Sequence, residues 1–248
     1  MVKSYIKEYE LHYFNVDSDL KCTMSTIINI LSDIGTRQSE ELGGGIGQLL
    51  KDNMTWVFYN YNINVARYPV YGETLSVKTE PVGFKKFYAL RKYEIKDNSG
   101  EIIVSANSIF LLIDLEKRKT IRIPKKQYEI YGADEDIKID FKLPKLEKPK
   151  EHKYEDSFRV RYTDIDYNKH VNNTKYIEWA IETLPEDIVN NYKLYDLKVT
   201  FQKECKYGES VNVYTDIRQE GDKLVTIHNI ENSEGVELTR LICEWETN

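Results

Sequence analysis

An α+β fold built in two tandem halves is predicted for this 248-residue chain. Three observations predict it. Short runs of alternating apolar residues are separated by polar, glycine-bearing turns, which favours antiparallel strands. One segment in each half carries apolar residues at helical spacing. The two halves repeat one another, element for element.

The repeat is legible at three places. "YGETLSV" (Tyr71–Val77) returns as "YGESVNV" (Tyr207–Val213), 136 residues on. "YEIKDNSGEI", from Tyr93, returns as "HNIENSEGVE", from His228, 135 residues on. Near the start of each half, Asp17 and Asp19 align on Asp164 and Asp166, and Ser25 on Asn172, 147 residues apart. Ser and Asn both cap helices well. The stripe Ile27, Ile30, Leu31, Ile34 predicts a helix after Ser25. The stripe Ile177, Ala180, Ile181, Leu184 predicts its counterpart after Asn172. Val57, Tyr59, Tyr61, Ile63 and Val65 alternate with Asn60, Asn62 and Asn64, as in a strand with one buried face. In the second half, Leu197, Val199 and Phe201 alternate with Lys198, Thr200 and Gln202. "KLPKLEKPKEHK", Lys142 to Lys153, has no apolar period and reads as a linker. The expected organisation is a first half over 1–141, a linker over 142–153 and a second half over 154–248.

Composition narrows the function. With 41% hydrophobic residues the chain can bury a sizeable core. A formal net charge of -6 argues against a nucleic-acid partner. The opening "MVKSYIKEYELHYF" lacks the apolar core of a secretion signal. No window approaches the roughly 18 apolar residues of a membrane span. Three cysteines, odd in number and far apart (Cys22, Cys205, Cys243), predict reduced thiols and a cytoplasmic setting. The 19 tyrosines lean the composition toward β structure.

The stretch "DIDYNKHVNN", Asp164 to Asn173, packs two aspartates, three asparagines and one of the four histidines into ten residues. Asp164, Asp166 and Asn168 alternate like the first ligands of a calcium loop. Lys169 stands where such a loop needs glycine, and Lys175 where it needs a bidentate glutamate. No other ligand spacing is present, so neither metal nor cofactor is expected. Two readings remain: a turn built by Asx side chains, or a reactive site. The repeat favours a site. At the 147-residue register, the first half offers Asp19, Lys21 and Thr23 where the second has Asp166, Asn168 and His170.

"DIDYNKHVNNTKYIEW", with "FQKECKYGES" downstream, resembles the acyl-acyl carrier protein thioesterases, which release fatty acids from their carrier. "TWVFYNYNINVARYPVYGE" and "GFKKFYALRKYEI" resemble that family's first repeat. The resemblance covers essentially the whole chain. It implies a tandem (double) hot-dog fold, each half an antiparallel sheet wrapped around one main helix. It also implies an active site at Asp166, Asn168, His170, Glu204 and Cys205. The partner it implies is an acyl carrier protein, and the expected assembly is a monomer or homodimer.

Thioester hydrolysis needs an activated water or a covalent nucleophile, and donors aimed at the developing oxyanion. Asn168 and the N–H groups of the helix capped by Asn172 are candidate donors. His170 is the candidate proton carrier, because imidazole titrates near pH 6.5. Asp166 or Glu204 would orient it or take a proton from water. Continuing the strand parity puts Cys205 on the apolar face with Phe201, and Glu204 on the polar face with Gln202. That parity favours water as nucleophile, with Cys205 the weakest candidate catalyst. Trp56, Tyr59, Ile27 and Ile30 are candidates to line the acyl slot. An acidic carrier would need a local cationic patch. Lys85, Lys86, Arg91 and Lys92 offer one, and the linker lysines Lys142, Lys145, Lys148 and Lys150 another. The alternatives are an acyl-CoA thioesterase using the same residues, a non-catalytic acyl-binding protein and a hot-dog dehydratase. The full polar set in the second half speaks against the non-catalytic reading, and a dehydratase would not need the Asp-x-Asn-x-His loop.

Overall fold

The computed structural model describes residues 3–133 and 143–248. Lys142, with which the expected linker begins, and residues 134–141 before it lie outside the described residues. The chain clusters into two compact units, the first running to residue 143 without 60–64, the second comprising 60–64 and 144–248.

The first unit opens with β1 (Tyr5–Glu10) and a 3-10 turn at Tyr13–Asn15. The helices α1 (Met24–Glu41) and α2 (Ile46–Lys51) come next. The strands β2 (Met54–Val65), β3 (Thr74–Lys85), β4 (Tyr88–Lys96), β5 (Ile102–Asp114) and β6 (Lys119–Thr120) precede a last helix, α3 (Lys125–Tyr131). Antiparallel pairing runs β1-β3-β4-β5, with β6 on β5. The predicted stripe on α1 is core: Ile27, Leu31 and Ile34 are completely buried and Ile30 nearly so. Each such side chain contributes roughly 2 kcal/mol by leaving water. The predicted cap is displaced by two residues. Thr23, not Ser25, caps α1, its Oγ1 accepting the Thr26 N–H at 3.1 Å. Thr23 is the last extended residue, and Ser25 already lies in the first helical turn.

The second unit repeats this order. It has β7 (Tyr154–Arg159), a 3-10 turn at Tyr162–Asp164, and the helices α4 (Asn173–Glu182) and α5 (Glu186–Asn191). Then come β8 (Tyr192–Phe201), β9 (Ser210–Glu220), β10 (Lys223–Asn232) and β11 (Glu237–Thr247). Its sheet runs β8-β11-β10-β9-β7, all antiparallel, with Asn60–Asn64 along β8. Asn172 caps α4, as the sequence predicts. The helix stops sooner than its stripe, at Glu182, and Leu184 is buried beyond it. Pro185 disfavours helical geometry in the residue before it, so the helix cannot run on.

Strand alternation holds over part of each run: in β2, Val57 and Tyr59 are only half-buried, and in β8 Thr200 is buried between Val199 and Phe201. Tyr61, Ile63 and Val65 are fully buried and Asn62 and Asn64 exposed, but Asn60 is buried. Its amide donates to the Val199 carbonyl at 2.7 Å, which satisfies it. The lysine- and proline-rich segment, within residues 143–153, is fastened to the second unit rather than left loose. Lys150, Glu151 and Lys153 donate backbone N–H groups to Asp216, Lys148 pairs with Glu237 at 2.7 Å, and Leu146 is buried.

One buried polar chain ties α4 to the sheet of the second unit. The Ala180 carbonyl can only accept, so the Thr183 hydroxyl donates to it (2.7 Å) and accepts from Thr215 (3.0 Å). Thr215 has then spent its proton, and His228 must donate to it through Nδ1 (2.8 Å). The bare Nε2 accepts from Thr226 (2.8 Å), which accepts from the indole N–H of Trp245 (3.0 Å). Every hydroxyl in the chain gives one proton and takes one. His228 is therefore neutral, and burial pushes its titration down to about 3. An unfolded histidine takes up a proton below about pH 6.5, so this stability is complete above that pH and is lost as pH falls toward 3. Chemical denaturation at pH 7 and pH 4.5 should show the wild type losing roughly 2–3 kcal/mol more than His228→Gln. Equal losses would mean that His228 is not held neutral.

Candidate active site

The cluster Asp164–Asn173 forms a tight turn between β7 and α4, and the turn is held by its own aspartates. Asp164 closes the 3-10 turn by accepting the Arg161 N–H at 2.7 Å. Asp166 Oδ1 accepts the N–H groups of Asn168 (2.8 Å) and His170 (3.4 Å). The Asp166 N–H in turn donates to the His170 carbonyl at 2.8 Å, and Lys169 takes the left-handed conformation, φ 65°.

The first unit builds the same turn, and its geometry corrects the sequence register. Asn15 accepts the His12 N–H at 3.0 Å. Asp17 Oδ1 accepts the N–H groups of Asp19 (2.9 Å) and Lys21 (3.0 Å), and Leu20 is left-handed at φ 61°. The halves therefore superpose here at 149 residues, not 147. Asp166 corresponds to Asp17, Asn168 to Asp19, His170 to Lys21 and Asn172 to Thr23. A carboxylate gripping two N–H groups is common to both copies, so the Oδ1 of Asp166 belongs to the turn. What distinguishes the second copy is Asn168 and His170. Asn168 is half-buried, and its side-chain amide makes no hydrogen bond among the described residues.

Glu204 and Cys205 do not lie on a strand, which corrects the parity argument. Strand β8 ends at Phe201, and the N–H groups of Gln202 and Lys203 both reach the Leu238 carbonyl (2.8 and 3.2 Å). The irregular chain beyond still separates the two side chains. Cys205 is completely buried, whereas the Glu204 side chain is 44% exposed. The Cys205 carbonyl accepts the Val171 N–H at 3.0 Å, which fastens this segment to the histidine turn. Glu204 Oε2 then stands 3.0 Å from Nε2 of His170.

Glu209 is the residue that sequence reasoning missed. It caps the Lys206–Glu209 turn by accepting the Lys206 N–H (3.2 Å), and the same Oε2 accepts the Cys205 S–H (3.0 Å). Burial and this carboxylate push the Cys205 thiol up to about 12. The signal was present in the sequence as the repeated Tyr-Gly-Glu, which reads there only as a turn.

The acyl-slot candidates all belong to the first unit. Ile27 and Ile30 are core residues of α1. Trp56 stacks on Phe84 (6.1 Å between rings) in a separate cluster with Leu49, Ile123 and Tyr131, and Tyr59 lies by Tyr88 (6.3 Å). Arg91 is not a surface cation: it is buried, donating to Gln38 and to Thr79 (2.9 Å). Its place on the inward face of β4 removes it from any docking patch. Lys92 is paired with Glu80 at 3.2 Å, while Lys85 and Lys86 are exposed. Of the linker lysines, Lys142 lies outside the described residues, Lys148 is paired with Glu237, and Lys145 and Lys150 are exposed.

Because the two turns share one hydrogen-bond pattern, Asp17→Ala and Asp166→Ala should destabilise the protein alike, by about 1–2 kcal/mol each. Thermal denaturation of the two variants checks this. A stability cost for Asp17→Ala alone would remove the turn role assigned to Asp166.

Comparison with known proteins follows the two-unit layout. Residues 2–131 match the acyl-ACP thioesterase N-terminal domain, and residues 147–247 the acyl-ACP thioesterase C-terminal domain. The chloroplastic acyl-(acyl-carrier-protein) hydrolase FATB3 of Cuphea viscosissima is 26% identical over 256 residues, covering 98% of this chain. The match spans 62% of that plant protein's length. Among solved structures, the 12:0-ACP thioesterase from Umbellularia californica superposes with a TM-score of 0.88 at 22% identity, over 99% of this chain and 94% of the other. An acyl-ACP thioesterase from Bacteroides thetaiotaomicron gives 0.85 at 23% identity, over 98% of both chains. The fold is the double hot-dog of these structures, as the sequence predicts. Together, the two matched domains, which account for nearly all of the sequence, show that this chain belongs to the acyl-ACP thioesterase family.

Proposed function

We propose that this protein hydrolyses the thioester of a fatty acyl-acyl carrier protein, releasing a free fatty acid and the carrier thiol. The observation that carries the reading is the His170–Glu204 pair, 3.0 Å apart, set on a turn whose first-half copy has Lys21 in place of the histidine. Family membership supplies the substrate class.

The proposed reaction uses water. The Glu204 carboxylate, open to solvent, takes a proton from the attacking water, and the histidine beside it shares that proton. The water oxygen bonds to the carbonyl carbon while the Asn168 amide and the first N–H groups of α4 stabilise the oxyanion. The carbon–sulfur bond breaks, and the departing thiolate takes the proton back from the pair. Cys205 is a poor nucleophile for this step, since only a thiolate attacks and its thiol is buried and pushed up to about 12.

The test is thiol release from acyl carrier proteins loaded with chains of varied length, beside the same acyl groups on CoA. Asn168→Ala, His170→Ala and Glu204→Ala should each lower turnover about 10²–10³-fold, as removal of an oxyanion donor or a proton carrier typically does. Lys21→Ala, at the corresponding turn, should keep it. Comparable losses at Lys21 and His170 would refute a single site. Faster release from CoA than from any carrier would make this an acyl-CoA thioesterase.

A further inference from the structure

The mechanism above leaves one carboxylate unused. Glu209 Oε2 lies 3.0 Å from the sulfur of Cys205, which is fully buried. The first unit shows what this carboxylate does when proline stands in place of Cys205. There Glu73 caps the matching turn by accepting the Val70 N–H (2.9 Å), and Arg67 neutralises it at 3.0 Å. In the repeat, Pro69 stands in place of Cys205 and Arg67 in place of Lys203. Lys203 is exposed and forms no ion pair among the described residues. Among the described residues the second-half carboxylate thus has no ion pair like that of Glu73 with Arg67, and it meets the thiol instead.

We propose that Glu209 holds Cys205 as a protonated thiol and so prevents the sulfur from competing with water for the acyl group. This rests on the thioesterase reading. A thiolate at that position would sit 3.0 Å from a second anion in a poorly hydrated place, so the proton stays on sulfur. Burial is the larger cause of the raised thiol and remains when the carboxylate's charge is removed, but the anion's share is then lost and more thiolate forms at alkaline pH. That thiolate would then attack the substrate carbonyl. A new sulfur–carbon bond forms, the carrier thiolate leaves and takes up the proton, and the acyl group stays on the enzyme as another thioester. Glu209 is therefore a positioning residue that commits the site to water.

The experiment compares wild type with Glu209→Gln, which keeps an acceptor for the Lys206 N–H but removes the charge. Iodoacetamide labelling is followed peptide by peptide by mass spectrometry and needs no substrate. At pH 8.5, Cys205 should label about tenfold faster or more in Glu209→Gln, with Cys22 and Cys243 unchanged. Decanoyl N-acetylcysteamine thioester should then leave a decanoyl adduct on Cys205 of that variant. It should leave none on wild type or on the double variant Cys205→Ser, Glu209→Gln. Glu209→Asp, one methylene shorter, should label at an intermediate rate and serves if the amide variant does not fold. Equal labelling of wild type and variants, or an adduct on Cys205 of wild type, overturns the proposal. Failure of the wild type to hydrolyse any acyl thioester overturns the thioesterase reading instead, and the labelling comparison still tests the role of Glu209.

Discussion

The site depends on one backbone hydrogen bond, from the Val171 N–H to the Cys205 carbonyl. It joins the turn that enters α4 to the chain that leaves β8. Remove it, and nothing in the local sequence keeps His170 within reach of Glu204. The first unit makes the same bond, from the Cys22 N–H to the Pro69 carbonyl at 2.8 Å, where Lys21 takes the place of His170. The tie is therefore a property of the fold, and the His170–Glu204 pair is an addition to it in the second copy.

Around that tie, four carboxylates have four different assignments. Asp164 and Asp166 are spent on backbone N–H groups and set the shape of the turn. Glu204 meets an imidazole and is partly exposed to water. Glu209 meets a thiol and a turn N–H. Each carboxylate meets a donor of its own. The same carboxylate group thus meets backbone N–H groups, an imidazole or a thiol according to which donor the fold puts in front of it.

Positioning the turn also requires that α4 not shift. Its first turn is fixed by Asn172, and its far end by the chain of hydroxyls that runs through Thr183, Thr215 and His228 to Trp245. Between these ends Tyr176 and Trp179 pack edge to face at 5.5 Å, and Tyr176 meets Phe201 at 6.1 Å. Oriented hydrogen bonds at both ends and aromatic contacts between them leave the helix few alternative positions. A neutral His228 is part of that arrangement, so acid weakens the frame of the site.

The sequence by itself determined the duplication, the class of fold, the α1 stripe and the cluster from which the site is made. Those features are written in periodicity and in short-range pattern, which need no knowledge of contacts. It also marked Asn168 and His170 as unlike their first-half counterparts, although by a register two residues out. That slip arose because caps look alike in sequence: Thr23 and Ser25 are equally good candidates until the backbone shows which one is extended. The tertiary structure alone decided that Asp166 is a turn holder, that Arg91 is buried, and that Glu204 and Cys205 lie past the end of their strand. It alone brought Glu209 to the thiol. Each of these depends on where β8 stops and on which N–H groups remain for side chains to meet. Both are settled by hydrogen bonds between distant segments, which no local pattern records.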